Sequence, residues 1–269
     1  MGMGEPIYTA AIGVGRALFA SLRLKPKVTG LRNLPGTGGA VLAITHFGYL
    51  DFALVEWMLW HKNRRRIRFL AKKGVFRQPL AGAVLRSMGH IPVDMTAGAD
   101  AYAQAVSSLR SGELLGVFPE GGVNASFTVR ALKTGTVRMA AEAGVPVIPI
   151  AVWGGHRVIT KNHKPSLREA VGTPISFAVG EPIRVDASGD SKEQTLRLHD
   201  TLQRLMDGLQ AGYPVDGAGQ WWQPAHLGGT APTPEEAAVA EAERRRRRDE
   251  RERQEREKKL RKPGSTKSG

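Results

Sequence analysis

From Val28 to Gly212 the chain changes its apolar period again and again, and that alternation limits the fold more than any other feature. AVLAIT (40–45), IRFLA (67–71), HIPV (90–93), ELLGVF (113–118), VPVIPIAVW (145–153) and PISFAVG (174–180) are short apolar runs that read as strands. Between them stand helical patterns: DFALVEWMLWH (51–61), PLAGAVLRSM (79–88), GADAYAQAVSSLR (98–110) and ALKTGTVRMAAEAG (131–144). A longer one, 191–212, carries Leu196, Leu202, Leu205, Met206 and Leu209 on one side. Strands and helices in alternation predict an α/β fold, with a mixed, largely parallel central sheet flanked by helices. No internal repeat is visible.

The two ends differ from this middle. Residues 7–22 (IYTAAIGVGRALFASL) are apolar but sixteen long, with Arg16 inside; a spanning helix needs roughly 20 apolar residues. Arg16, Arg23, Lys25 and Lys27 punctuate or flank that stretch. Segment 1–24 is therefore expected to be an amphipathic helix, lying in a membrane interface or packed on the domain. The opening MGMGEP has no positive n-region, which argues against a signal peptide. The core is expected over 25–212. Residues 213–234, rich in Gly, Pro and Trp, read as a wrapping segment and linker. Residues 235–269 read as a charged tail, helical or disordered.

Charge narrows the partners. The tail from 235 holds 13 Lys and Arg against 9 Asp and Glu, and the first 234 residues hold 26 against 16. The basicity thus belongs to the folded part, which implies an anionic partner: nucleic acid, anionic lipid or a phosphorylated substrate. Cysteine is absent, so there is no disulfide, no thiolate nucleophile and no Cys-type zinc site.

The chemistry starts at ITHFGYLDF (44–52). His46 follows a strand directly, and in open α/β sheets the C-terminal strand edge is where ligands bind. Gly48 permits a sharp turn, so Asp51 can fold back on the imidazole, fix its tautomer and leave Nε2 as a free base. On spacing alone, an aspartate capping the next helix beside an unrelated histidine is the plainer reading. A second strand end delivers Glu120 in FPEGG (118–122), beside glycines whose backbone can approach a ligand. LKTG (132–135) opens a helix, where Lys133 can meet an anion. With no cysteine and no G-x-S-x-G elbow, covalent catalysis lacks an attacking atom, and direct transfer to a substrate hydroxyl is the economical mechanism.

Taken together, these blocks resemble the glycerolipid acyltransferases of the 1-acylglycerol-3-phosphate (lysophosphatidic acid) acyltransferase type. His46–Phe47–Gly48–Tyr49–Leu50–Asp51 matches the family's His-x4-Asp block. Ala71–Lys72–Lys73 and Gly89–His90–Ile91–Pro92–Val93–Asp94 match its second block, Phe118–Pro119–Glu120–Gly121 its third, and Val145 to Pro149 its fourth. Leu132–Lys133–Thr134–Gly135 matches the F-K-x-G that follows the third block, and the likeness covers roughly 25–180.

The resemblance implies a glycerol-3-phosphate-acyltransferase-like fold and an O-acyltransferase that moves a fatty acyl group from a thioester to a lysophospholipid hydroxyl. The donor would be acyl-CoA or acyl carrier protein, the product phosphatidic acid, and no cofactor or metal is implied. His46 would be the base, Asp51 its orienter, and Glu120 and Gly121 would position the acceptor. Two departures concern the acceptor's phosphate: Met95 and Gly122–Val123–Asn124 stand where the family usually has arginine-bearing sequence. Lys72, Lys73, Arg130 and Lys133 are the candidate replacements. Glycerol 3-phosphate and a glycolipid are alternative acceptors, and a non-catalytic membrane-binding protein is the alternative of another class. An anionic membrane surface is the expected partner, reached as a peripheral protein on the cytoplasmic face, and no nucleic acid is expected.

Overall fold

A computed structural model describes residues 4–93 and 98–261 of the chain. The AVLAI run forms a strand, Ala40–Ile44, that is buried at every position, and the sheet assembles on both sides of it. In chain order the strands are β1 (Lys25–Thr29), β2 (Ala40–Ile44), β3 (Ile67–Lys72), β4 (Ile91–Val93), β5 (Leu114–Val117), β6 (Val147–Trp153) and β7 (Pro174–Val179). They make one seven-stranded sheet in the order β1-β7-β6-β2-β5-β3-β4. All neighbours are parallel except β6 and β7. At its centre Leu42 lies beside Gly116 of β5 and Ile148 of β6.

The helices are α1 (Gly4–Ser21), α2 (Asp51–Asn63), α3 (Lys73–Phe76), α4 (Pro79–Ser87) and α5 (Ala99–Arg110). They continue as α6 (Gly135–Ala143), α7 (Leu167–Ala170), α8 (Ser191–Ala211) and α9 (Pro234–Arg261). Successive residues of a strand face opposite sides of its sheet, and β2 divides accordingly. Leu42 and Ile44 join Phe19, Leu54 and Met58 of α1 and α2. Val41 and Ala43 join Val106, Leu109, Met139 and Leu202 of α5, α6 and α8. Covering both faces with helices is what a mainly parallel sheet requires.

Four features depart from the sequence expectation or sharpen it. β1 was not legible, because KPKVT is an edge strand whose side chains stay mostly exposed. α6 begins at Gly135 rather than at 131, since the Lys133 N–H is committed to Pro119 O in the preceding loop. α1 turns Tyr8, Ile12 and Phe19 into the protein, leaving Ile7, Val14 and Leu18 exposed. The tail is helical over its described residues and starts in a reciprocal cap: Glu236 N–H donates to Thr233 Oγ1 at 3.2 Å and Thr233 N–H to Glu236 Oε2 at 2.9 Å. Among the described residues, no helix is long and apolar enough to cross a membrane.

Candidate active site

The C-terminal ends of β2, β3, β5 and β6 open on one edge of the sheet. The connection leaving β2 runs to β3, whereas that leaving β5 runs the other way, to β6. Loops that part in this manner leave a crevice over the strand pair between them. β2 delivers His46 to it, β5 delivers Phe118 and Glu120, and β3 ends on Lys72 and Lys73, both exposed.

Between β2 and α2 the chain makes a tight turn. Gly48 is required there, because a Cβ would stand 2.9 Å from the Gly155 carbonyl carbon and from His156 N. The turn aims three donors at one oxygen: Asp51 Oδ2 accepts from Phe47 N–H at 2.9 Å, Gly48 N–H at 2.8 Å and His46 Nδ1 at 3.1 Å. The capping alternative fails on this geometry. Leu50 occupies the N-cap of α2, no side chain caps it, and the Asp51 carboxylate points backwards to the histidine. A carboxylate oxygen can only accept, so Nδ1 carries the proton and Nε2 has a free lone pair. Asp51 is buried, while the imidazole keeps a 14% exposed face. Phe118 stacks on the ring, with centroids 3.9 Å apart and planes at 19°.

Glu120 sits differently from an acceptor-facing carboxylate. It is buried, and Oε1 accepts from the His46 backbone N–H at 3.1 Å while Oε2 accepts from Asn124 Nδ2 at 3.3 Å. Arg130 Nε lies 3.8 Å from Oε2. Burial pushes the Glu120 carboxyl up to about 7, against the His46 hydrogen bond and the Arg130 charge that favour its ionised form. Asn124 closes the tie, its N–H donating to His46 O at 2.9 Å. Glu120 thus holds the histidine's backbone in place.

Gly121 adopts φ +78°, a left-handed conformation that glycine takes without cost. A Cβ there would also meet Lys133 Cε at 2.8 Å, so Lys133 lies over the FPEGG turn with its exposed end beside Gly121. Arg130 reaches the same loop, Nη2 donating to Glu120 O at 3.0 Å and Gly122 O at 2.9 Å. The structure therefore gathers His46, Asp51, Glu120, Gly121, Arg130 and Lys133, with Lys72 and Lys73 at the neighbouring strand end. Asp94 and Met95 lie outside the described residues. No group of three His, Asp or Glu among the described residues is arranged to hold a metal ion. Sequence reasoning did not single out Phe118 or Asn124 as site residues. Phe118 lies within the FPEGG block and Asn124 just beyond it.

An apolar groove of about 460 Å³ adjoins this edge, lined by Ile12, Phe19, Phe52, Trp57, Leu80 and Val84 among others. Its Phe52 meets Phe69 at 6.1 Å, Phe69 meets Phe118 at 5.8 Å, and Phe118 covers His46. A continuous row of rings leads from groove to base.

A histidine held through Nδ1 at the crevice of an α/β sheet, beside an apolar groove, suits the activation of a hydroxyl on an amphiphile. The comparisons agree. A family model described as Acyltransferase matches residues 25–153. A 1-acyl-sn-glycerol-3-phosphate acyltransferase of Bacillus subtilis is 31% identical over 163 residues, 60% of this chain and 79% of its own length. Its counterpart in Borreliella burgdorferi is 28% identical over 142 residues, 52% of this chain and 55% of its own length. The crystal structure of the 1-acyl-sn-glycerophosphate (LPA) acyltransferase PlsC of Thermotoga maritima superposes with a TM-score of 0.61 at 21% identity. That alignment covers 76% of this chain and 80% of that one, and establishes the shared fold. The chain belongs to the acyltransferase family of the 1-acylglycerol-3-phosphate acyltransferases.

Proposed function

We propose that the protein transfers a fatty acyl group from an acyl thioester to the free hydroxyl of a lysophospholipid, converting 1-acylglycerol 3-phosphate to phosphatidic acid. The observation that carries this reading is the Asp51 lock on Nδ1, which leaves Nε2 as the proton acceptor. Nε2 takes the hydroxyl proton as the oxygen attacks the thioester carbonyl carbon. The tetrahedral intermediate then collapses, the C–S bond breaks, and the leaving sulfur takes the proton back from the imidazolium. One ester forms, one thioester is lost, and a free thiol is released. General base catalysis of this kind contributes typically about 10²–10⁴-fold.

The rest of the site serves that step. Glu120 and Asn124 fix the histidine's backbone, Gly121 lets the loop approach the acceptor, and Lys72, Lys73, Arg130 and Lys133 are the cations available to substrate phosphate. The apolar groove receives an acyl chain, since its volume falls within the roughly 300–1,000 Å³ of small-molecule sites. The donor is acyl-CoA or an acyl carrier protein. Peripheral binding to an anionic membrane, on the cytoplasmic face, brings both amphiphiles to the site.

Release of thiol from one radiolabelled acyl-CoA, measured against a panel of acceptors, tests the reading. Lysophosphatidate is expected to be the preferred acceptor, with labelled phosphatidate as product. Preference for glycerol 3-phosphate or a glycolipid would reassign the acceptor, and no thiol release with any of them would refute acyl transfer.

A further inference from the structure

Arg130 is held from two sides. Its Nη2 is fastened to the carbonyls of Glu120 and Gly122, and its Nε lies 3.8 Å from Glu120 Oε2. Its Nη1 points outwards and donates to Glu241 Oε2 at 2.6 Å, a residue of α9 and 111 positions away. The same Glu241 oxygen lies 3.9 Å from Lys161 Nζ. Burial lowers the Lys161 ammonium below its usual range; Glu241 opposes that, and Arg244, Arg130 and Lys72 reinforce it. Arg130, Lys161 and Arg244 thus all act on the single Glu241 carboxylate.

That imbalance has a chemical reading. A carboxylate carries a single charge, whereas a phosphate monoester carries about −1.5 to −2 at neutral pH and matches a guanidinium bidentately. The cluster is connected to the reacting centre: Arg130 touches Glu120, and Glu120 holds the His46 backbone. Glu241 is also a loosely held occupant. Its side chain is 42% exposed, and solvent-screened ion pairs are weak. Its carrier, α9, starts in the Thr233–Glu236 cap, just after the buried Ala231.

We propose that Arg130 and Lys161 form a phosphate-monoester subsite that Glu241 of the C-terminal helix fills as a displaceable internal anion. The substrate's phosphate takes the carboxylate's place, and α9 releases its hold on the site as it does so. The identity of the substrate rests on the acyl transfer proposed above, but the subsite itself does not. The phosphate belongs either to the lipid acceptor or to the 3′-phosphate of a coenzyme A donor.

The test uses the full chain, with inorganic phosphate as the calorimetric probe and initial rates for both substrates. Glu241→Gln and Glu241→Ala are expected to bind inorganic phosphate at least about threefold more tightly, since a weak competing pair is gone. They should lower the KM of the phosphate-bearing substrate in step. Lys161→Ala should weaken phosphate by about tenfold and raise that KM more than it lowers kcat. A shift in the KM for lysophosphatidate places the acceptor there, and a shift in the KM for acyl-CoA places the donor. Phosphate affinity and both KM values unmoved by the Glu241 variants, or moved in the opposite direction, would overturn the subsite. Phosphate binding in the expected order, without acylation of lysophosphatidate, retains the subsite and removes the acceptor reading. Acylation of lysophosphatidate with both sets of variants unshifted does the reverse.

Discussion

At the residue scale, the dyad shows how a backbone turn can set a side chain's chemistry. Asp51 Oδ2 would be a poor orienter if it could rotate, but the Phe47 and Gly48 N–H groups clamp it. Gly155 keeps the other side open, for a Cβ there would stand 2.9 Å from Asp51 Oδ1. His46→Ala should lower thiol release by at least about two orders of magnitude, with circular dichroism and melting unchanged. Asp51→Asn retains an acceptor oxygen for the turn yet no longer stabilises the imidazolium, and should fall steeply as well. Turnover near that of the parent in His46→Ala would end this mechanism. Loss of folding in both variants, with specific activity kept in the folded fraction, would make the pair structural.

At the scale of elements, one buried joint fastens α1 to α2 and β3. Tyr8 Oη donates to Glu56 Oε1 at 2.8 Å and accepts from Ile67 N–H at 3.0 Å. Burial pushes Glu56 up to about 7, although the Tyr8 hydrogen bond pulls the other way, and burial raises Tyr8 too. A carboxyl with a raised folded pKa binds its proton more tightly when folded. The stability it contributes is complete below its unfolded value of 4.5 and is lost as pH rises to about 7. His90, lowered to about 4 by burial and then by the Arg68 charge, has the opposite sign: its stability is lost as pH falls from 6.5 to about 4. His156, lowered to about 3 chiefly by burial, acts in the same sense as His90. These slopes oppose one another in the parent, so a difference measurement isolates Glu56. Subtracting the parent's unfolding free energy from that of Glu56→Gln should give a difference that rises with pH from 4.5 to about 7, by at most roughly 3 kcal/mol. Urea melts across that range read it directly, and a flat difference would show that Glu56 does not titrate in the window.

For the whole molecule, the membrane contact proposed above calls for a surface suited to lipid. Phe19 and Tyr8 lie in the core, so the large apolar side chains that α1 exposes, among those described, are Ile7, Val14 and Leu18. Beside them Leu80, Val84, Val75 and Phe52 are exposed around the apolar groove. A surface of that kind, on a chain of net charge +14, suits shallow insertion combined with attraction to anionic headgroups. Val14→Glu with Leu18→Glu should reduce sedimentation with anionic vesicles several-fold, and binding by the parent should weaken as salt screens the charge. If these variants still sediment and truncation at residue 234 abolishes binding, the contact lies on α9 instead.

Local pattern alone determined the strand ends and what stands on them. A buried strand must be an apolar run and a turn needs its glycine, so His46, Lys72 and Glu120 could be placed on one kind of edge by reading along the chain. Only the tertiary structure decided that β2 lies beside β5. That pairing brings His46 against Glu120, 74 residues on, and turns the glutamate inwards to hold a backbone N–H. It likewise decided that α1 spends its apolar side on the protein and that Glu241 reaches Arg130. Periodicity records which residues share a face of one element, because dihedral preference and burial act over a few residues. Contacts between distant elements depend on the summed fit of many side chains, and that sum leaves no period along the chain to read.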